Sequence, residues 1–246
     1  MDGTTIIWIA ALMAIAAALY SSVGHGGASA YLAIMALFSV APEVMRPTAL
    51  ALNLVVAGYT AVRFAAKGQT NWRLLGAFAV TAVPAAYLGG TIELPSSIYR
   101  PLVGVVLLLA AARLFWHPER LASREVRPPS LAVSLPAGAG LGLLAGLTGT
   151  GGGIFLSPLI ILLGWEGARR TAGVAAAFIV LNSAAGLLGN LASLERVPAE
   201  LPLLAGAVFG GALLGSWLGV SRFPRHRLLQ ALAVVLVIAG LKLLFT

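Results

Sequence analysis

Ten apolar segments, separated by short polar connections, make up most of this chain of 246 residues. Their approximate bounds are residues 5–23, 28–40, 48–66, 74–91, 100–116, 131–147, 154–164, 171–192, 201–219 and 228–245. Most have the ~17–25 residues that a helix needs to cross a bilayer. The second and seventh segments do not. As helices they would extend only ~20 Å and ~16 Å, against ~30 Å of hydrocarbon.

A glycine-rich run precedes each of the two short segments. The first run is Gly24-His25-Gly26-Gly27, and the second, about half the chain later, is Gly149-Thr150-Gly151-Gly152-Gly153. Hydrophobic segments that are interrupted by glycine at corresponding positions of two halves are a pointer to the binding site of a transporter. The pattern therefore directs attention to these two runs as the functional region.

The halves resemble each other in other places. The longest polar connection, 117–130, separates a first repeat, 1–116, from a second repeat, 131–246, and each contains five apolar segments. Arg46-Pro47-Thr48-Ala49 in the first repeat matches Arg170-Thr171-Ala172 in the second. Because five is odd, the second repeat would enter the membrane in the opposite orientation to the first. We therefore predict an all-α polytopic membrane protein with two inverted-topology repeats, each with a short glycine-broken helix.

Composition and charge agree with this fold class. The chain is 59% hydrophobic and 10% charged, whereas soluble domains are nearer 25% charged. With the N-terminus outside, twelve of the sixteen Lys and Arg residues fall on the inner side, as the positive-inside rule requires. The four on the outer side are Arg46, Arg100, Arg196 and Lys242. Membrane orientation explains the net charge of +8 better than nucleic-acid binding does, and we expect a multi-pass protein of the cytoplasmic membrane.

The glycine runs have the chemistry of an anion site. Glycine lets the backbone turn tightly and lets a ligand approach its N–H groups, and each run ends where a helix begins, at Ala28 and at Ile154. Free N–H groups and the positive end of the dipole at a helix N-terminus bind anions. Inverted repeats would bring the two N-termini toward each other. The predicted substrate-binding residues are Gly24, His25, Gly26, Gly27, Ser29, Asn53, Gly149, Thr150, Gly151, Gly152, Gly153 and Asn182.

Close helix packing is the alternative explanation for glycine in membrane helices. We expect it to apply to most of the 29 glycines, among them Gly138, Gly140, Gly142, Gly210 and Gly211. For the two runs we favour binding, because packing does not explain why they coincide with the repeat.

Several polar side chains have two explanations each. His25 could donate to an anion or exchange a proton with one, or it could seal the turn with a hydrogen bond. Asn53 and Asn182 could line a cavity, or they could join helix to helix, which we consider the more common role. Thr48 and Thr171 are weaker cavity-lining candidates, because a threonine early in a helix is often a cap.

The acidic residues all fall in loops or at segment edges. Ion-coupled transporters usually place a carboxylate inside a span, so the sequence does not support a carboxylate proton relay or a sodium site. An anion gains ~2.3 kcal/mol per charge on leaving a cell that is negative inside by ~100 mV. The sequence also lacks a nucleophile motif for an intramembrane enzyme, and it contains no cysteine. We expect no cofactor and no metal, and the sequence leaves open whether the chain forms a homo-oligomer.

The repeated Gly-x-Gly-Gly turn, the short segment ending near Pro42 or Pro158, and the Arg-x-Thr-Ala or Arg-Thr-Ala element resemble the TauE/SafE sulfite exporter family. The stretch from Gly146 to Pro158 is especially similar. The first repeat departs from the pattern, with Ala28 where a third glycine would stand. The resemblance implies a permease for sulfite, a sulfonate or another sulfur oxyanion, usually moving it outward. An anion channel or a uniporter for another small oxyanion is the alternative.

His25→Ala is expected to weaken transport without eliminating it, because Thr150 occupies the matching position and cannot titrate. The measurement is substrate flux as a function of pH in wild type and variant. A pH profile that does not change would exclude a proton-carrying role for His25.

Overall fold

A computed structural model of the chain describes residues 3–21, 26–115, 126–217 and 225–245. Within these ranges the structure is helical and contains no strand. The helices are α1 (Gly3–Ser21), α2 (Ala28–Leu37), α3 (Pro42–Ala66), α4 (Trp72–Thr91), α5 (Ser96–Phe115), α6 (Leu131–Thr148), α7 (Gly153–Leu162), α8 (Ala168–Gly189), α9 (Leu201–Trp217) and α10 (Arg225–Phe245). The prediction of an all-α membrane protein is confirmed.

Six helices in the described ranges, α1, α3, α4, α5, α6 and α8, are long and apolar enough to cross a membrane. The helices that follow the glycine runs, α2 and α7, have only 10 residues each, or about 15 Å. The two predicted short segments are therefore confirmed as short helices, although α7 begins at Gly153 and not at Ile154. A 3₁₀ helix at Leu191–Arg196 was not predicted.

Glycine ridges join the two halves through two parallel helix pairs. Along α6, a Cβ atom added to Gly138, Gly142 or Gly146 would lie 2.4, 2.1 or 2.2 Å from the carbonyl oxygen of Phe78, Ala82 or Ala86 on α4. The same spacing recurs between α9 and α1, where Gly211 and Gly215 lie against the carbonyls of Ala14 and Ala18. From one contact to the next, the residue numbers rise by four on both helices. The two helices of each pair therefore run in the same direction.

The central helices pack in antiparallel pairs. On α3 and α8, Asn53 lies opposite Ser183 and Leu50 lies opposite Gly186. On α5 and α10, Gly104 contacts Leu244 while Gly240 contacts Leu108. If α1 to α5 correspond to α6 to α10, each of these pairs joins a helix to its own counterpart. Repeats that are related by a two-fold axis along the membrane normal would have parallel counterparts. The antiparallel counterparts seen here are compatible with inverted repeats instead.

The contact pattern has the same two-fold character. The packing of α4 on α6 has its counterpart in the packing of α9 on α1, and the packing of α4 on α8 has its counterpart in that of α9 on α3. The residue bounds of the repeats, 1–116 and 131–246, stay a prediction. Most of the predicted connector, 117–130, lies outside the described residues.

The packing interpretation of the glycines is confirmed for Gly138, Gly142 and Gly211, but it is wrong for Gly140 and Gly210. Nothing lies within 4 Å of a Cβ atom built at either of these two positions. They lie on helix faces that point away from the glycine ridges, which the sequence pattern alone does not distinguish.

Gly142→Ala is expected to lower the thermal stability of the purified protein, because its methyl group would overlap the Ala82 backbone and overpacking costs about 1–3 kcal/mol. Gly140→Ala, two residues away in the same helix, is the matched control. It should leave the midpoint temperature of unfolding unchanged or raise it slightly. Thermal unfolding in detergent measures both. Equal midpoints for the two variants would contradict the close approach of α4 and α6.

Candidate functional site

The glycine runs adopt backbone conformations that only glycine adopts easily. Gly149, Gly151 and Gly152 have φ of +84°, +72° and +75°, and Gly27 has φ of +97°, which lies in the left-handed region. Gly27 and Gly152 precede α2 and α7, and neither helix start has a side-chain cap. In each first turn the third N–H donates back to the cap carbonyl, from Ala30 to Gly27 at 2.9 Å and from Phe155 to Gly152 at 3.1 Å. The earlier N–H groups of each turn have no acceptor within the helix and can donate to other acceptors.

The two short helices direct these N-termini toward each other from opposite ends of the protein. At the C-terminus of α2, Lys242 of α10 donates to the Leu37 carbonyl at 3.0 Å. At the C-terminus of α7, the Arg127 N–H donates to the Gly164 carbonyl at 2.9 Å. The C-terminus of α10 lies beside the start of α5, where α4 and α6 also end, whereas Arg127 precedes the start of α6. The positive ends of both helix dipoles thus face the interior.

Asn53 joins the two runs. It is the twelfth of the 25 residues of α3 and is fully buried. Its Oδ1 accepts from the Ala28 N–H at 3.2 Å, and its Nδ2 donates to the Thr150 carbonyl and to Ser183 Oγ, both at 3.4 Å. One carboxamide therefore contacts the start of α2, the second glycine run and α8.

Asn53 also explains why glycine is needed on both sides of it. A Cβ atom at Gly26 would lie 2.4 Å from Asn53 Oδ1, and one at Gly151 would lie 2.8 Å from Asn53 Nδ2. Both distances are shorter than real Cβ contacts, so any larger residue at either position would displace the carboxamide. The two runs close directly onto this side chain.

Hydroxyl groups surround the two turns. On the first side, Tyr31 donates to the Gly26 carbonyl at 2.8 Å, and the Tyr20 and Ser29 hydroxyls lie 2.8 Å apart. On the second side, the Thr148 and Thr150 hydroxyls lie 2.9 Å apart. The sequence pattern indicated Ser29 and Thr150 from this set but missed the tyrosines and Thr148.

The other predicted polar residues differ from their expected structural roles. Asn182 does not join helices within the described residues: its Nδ2 donates to the Phe178 carbonyl of its own helix at 2.8 Å, and its buried Oδ1 has no partner. Thr48 is not a cap, because α3 begins six residues earlier and its buried Oγ1 has no partner in the described part of the chain. Thr171 is not the cap of α8 either. Its hydroxyl donates to the Glu166 carbonyl at 3.4 Å, and the residue at the cap position is Gly167.

Gly24 and His25, which the sequence also places in the site, lie outside the described residues. Of the predicted residues that are described, the structure brings Gly26, Asn53, Thr150 and Gly151 together. Ser183 is a further member that the sequence pattern missed, although its position beside Asn182 on the same helix was a signal.

The electrostatics of this region come from dipoles. In the described part of the chain the carboxylates lie at helix ends or in connections, at Glu43, Glu93, Glu166, Glu195 and Glu200. No group of three or more acidic or histidine residues suitable for a metal ion occurs among the described residues. Two helix N-termini with no carboxylate between them can stabilise a negative charge.

Comparisons with known proteins agree with one another. The family model described as "Sulfite exporter TauE/SafE" matches residues 9–243. A protein of Sinorhizobium fredii (strain NBRC 101917 / NGR234) named "Probable membrane transporter protein y4hK" is 38% identical over 98% of this chain and 99% of its own length. "Probable membrane transporter protein YjnA" of Bacillus subtilis (strain 168) is 26% identical over 92% of this chain and 95% of its own length. No solved structure gives a significant match. The names point to a transporter rather than an enzyme.

Asn53→Leu is expected to destabilise the protein by about 1–3 kcal/mol, because it leaves the Ala28 N–H and the Thr150 carbonyl buried without their partner. Asn182→Leu is the matched comparison. It removes an oxygen that already has no partner among the described residues, together with one bond from Nδ2 to the Phe178 carbonyl of the same helix, so its loss of stability should be smaller. Thermal unfolding of both variants measures the difference. A larger loss for Asn182→Leu than for Asn53→Leu would contradict the bridging role of Asn53.

Proposed function

This chain belongs to the TauE/SafE sulfite exporter family, and we propose that it is a secondary transporter that exports sulfite, or a related sulfur oxyanion or organosulfonate, across the cytoplasmic membrane. Membership of the family and the two transporter relatives make it an integral membrane transporter. The choice of substrate, the outward direction and the mechanism are our proposal.

The observation that carries the proposal is the contact of one carboxamide, that of Asn53, with the start of α2 and with the second glycine run, which leads into the start of α7. An oxyanion has several acceptor oxygens and no need for a donor partner, so N–H groups from two directions suit it. No cation side chain is required, because each helix end carries about half a positive charge. The site would comprise the turns Gly24–Gly27 and Gly149–Gly153, together with Ser29 and Asn53.

In this arrangement, Asn53 Oδ1 already occupies the position of an anion oxygen, because it accepts from the first N–H of α2 at 3.2 Å. The incoming oxyanion would replace this oxygen, and the carboxamide would turn to present Nδ2 as a donor to the anion. The long bonds at 3.4 Å on the Nδ2 side are weak enough to exchange. Asn182 and Thr48, each with a buried oxygen that has no partner in the described structure, and Thr171 would be accessory cavity-lining residues.

The direction follows from the charge of the substrate. The membrane potential gives each negative charge ~2.3 kcal/mol on exit per 100 mV. No carboxylate lies near Asn53 in the described part of the chain, so an inward-coupled cation would find only neutral oxygens there, such as the Thr150 carbonyl and Ser183 Oγ. Export of an anion down the membrane potential needs no coupled cation.

The packing of both glycine turns onto Asn53 supports alternating access over a channel. With ideal Cβ positions only 2.4 and 2.8 Å from the carboxamide, there is no room for an ion to pass between the turns. Passage would require the turns to separate, and such a movement opens the site to one side at a time.

Sulfite efflux from proteoliposomes tests the function. We expect the efflux rate to saturate as internal sulfite is raised and to increase when external sulfite is present in counterflow. Some of the competitors sulfate, thiosulfate and organosulfonates should inhibit the efflux of sulfite. Flux that rises linearly with concentration and shows no counterflow would contradict a transporter and would indicate a channel.

Gly151→Val is expected to abolish this efflux, at least tenfold below wild type, while membrane insertion stays normal. The variant would force a β-branched residue into φ of +72° and against Asn53. Gly140→Val is the control, since position 140 has open space. Efflux by Gly151→Val at the level of the control would rule out the proposed site.

A further inference from the structure

A cavity of about 460 Å³ lies at the end of the protein where α3 and α5 begin and α8 finishes. We call it the vestibule. Its lining includes Glu43 and Arg46 of α3, Glu93 of the α4–α5 connection, Ser96 and Tyr99 of α5, and Arg196 of the 3₁₀ helix.

The floor of the vestibule is one side chain away from the second glycine run. Tyr99, which is almost fully buried, lines the cavity and donates from its hydroxyl to the Thr148 carbonyl at 3.1 Å. Beside it, the Arg46 backbone packs on Gly149, where a Cβ atom would lie 3.1 Å from the Arg46 carbonyl oxygen. Movement of Tyr99 off Thr148 would therefore join the vestibule to the site.

The inner wall of the vestibule carries a positive charge that no ion pair within the described residues cancels. Arg46 donates to the Ile92 carbonyl at 2.7 Å, to the Gly89 carbonyl at 2.9 Å and to the Gly90 carbonyl. These acceptors are the last carbonyls of α4, so the guanidinium is held in place without a carboxylate.

The acidic residues of the vestibule are themselves held by donors. Asn190 donates to Glu93 Oε1 at 3.0 Å and Arg196 lies 3.1 Å from the same oxygen. The hydrogen bond from Asn190, reinforced by the charge of Arg196, lowers the pKa of the Glu93 carboxyl. Glu43, in the first turn of α3, accepts from Ser96 at 3.4 Å. Arg46 is thus the basic residue beside the floor, whereas Arg196, the other basic residue of the lining, is paired with Glu93. The Glu93 carboxylate also attracts Arg46, without an ion pair between them.

Charge also indicates the side of the membrane. The four basic residues that the positive-inside count assigns to the outer side all lie at the vestibule end. Arg46 and Arg196 line the vestibule, Arg100 lines a neighbouring cavity beside Leu243, and Lys242 is the residue next to Leu243.

We propose that the vestibule is the outer port through which the oxyanion leaves, with Arg46 as the residue that receives the anion and Tyr99 as the residue that separates the port from the site. This inference rests on the proposed export function. It adds a second, superficial anion contact to the buried site, and it assigns a path between them.

Because the sequence contains no cysteine, a single introduced cysteine is the only site at which a thiol reagent can react. Ser96→Cys places the only thiol where the vestibule meets the neighbouring cavity beside Arg100, since Ser96 lines both cavities. Ser97→Cys places it one residue along, in the lining of the neighbouring cavity but not of the vestibule. A bulky, membrane-impermeant maleimide is added to intact cells, the excess is washed away, and efflux is measured after reconstitution. A maleimide is suitable because sulfite does not cleave the thioether.

Both thiols should react from outside. Modification of the Ser96→Cys variant should reduce sulfite efflux at least tenfold, and modification of the Ser97→Cys variant should change it less than twofold. Arg196 lines the vestibule but not the neighbouring cavity. Modification of an Arg196→Cys variant should therefore reduce efflux at least tenfold as well, and this variant replaces Ser96→Cys if the latter is inactive before labelling.

Efflux that survives modification of both vestibule thiols would overturn the port, as would labelling from the cytoplasmic side alone or equal inhibition of the Ser97→Cys variant. Failure of the export function gives a different result. In that case the thiols react from outside as expected, but the unlabelled protein shows no saturable oxyanion flux, and the port is rejected together with the function.

Discussion

The carboxamide of Asn53 is the interaction on which the rest of this structure depends. Helices that break inside hydrocarbon leave backbone groups exposed, and in a membrane each such group must find a partner within the protein. Asn53 supplies an acceptor to the start of α2 and a donor to the second glycine run. A side chain of this kind between them therefore stabilises the meeting of the two broken helices in the interior.

The helix pairs around Asn53 form a frame that holds the start of α2 and the second glycine run close together. The parallel pairs α4–α6 and α1–α9 approach closely through glycine ridges, which join one half of the chain to the other at two separate places. The antiparallel pair α3–α8 then lies centrally and carries Asn53 and Ser183 face to face. The short helices α2 and α7 lie inside this frame, and nine of the ten residues of α2 are buried.

Much of this arrangement could be predicted from the sequence, and the failures have particular causes. The short helices were predicted correctly, because their length and the preceding glycines are local properties. The structural roles expected of Thr48 and Thr171 as caps and of Asn182 as a link between helices were wrong, because helix starts and side-chain partners depend on neighbours far along the chain. Gly140 and Gly210 follow the same small-residue pattern as Gly142, but which face of a helix meets a partner is not local information. Tyr99 and Arg46 drew no attention as site residues, since nothing near them in sequence indicates that they cover Gly149.

The sequence by itself determined the membrane setting, the two glycine-broken helices and the absence of central carboxylates, because hydrophobicity, glycine content and charge act through local chain physics. That α2 and α7 point at each other was already expected from the inverted repeats. Only the tertiary structure decided that one asparagine bridges both turns and that a vestibule lies one tyrosine away from Thr148. These features arise where segments distant in sequence, such as Asn53 and Thr150 or Tyr99 and Thr148, come within hydrogen-bond distance. Long-range packing alone sets such distances.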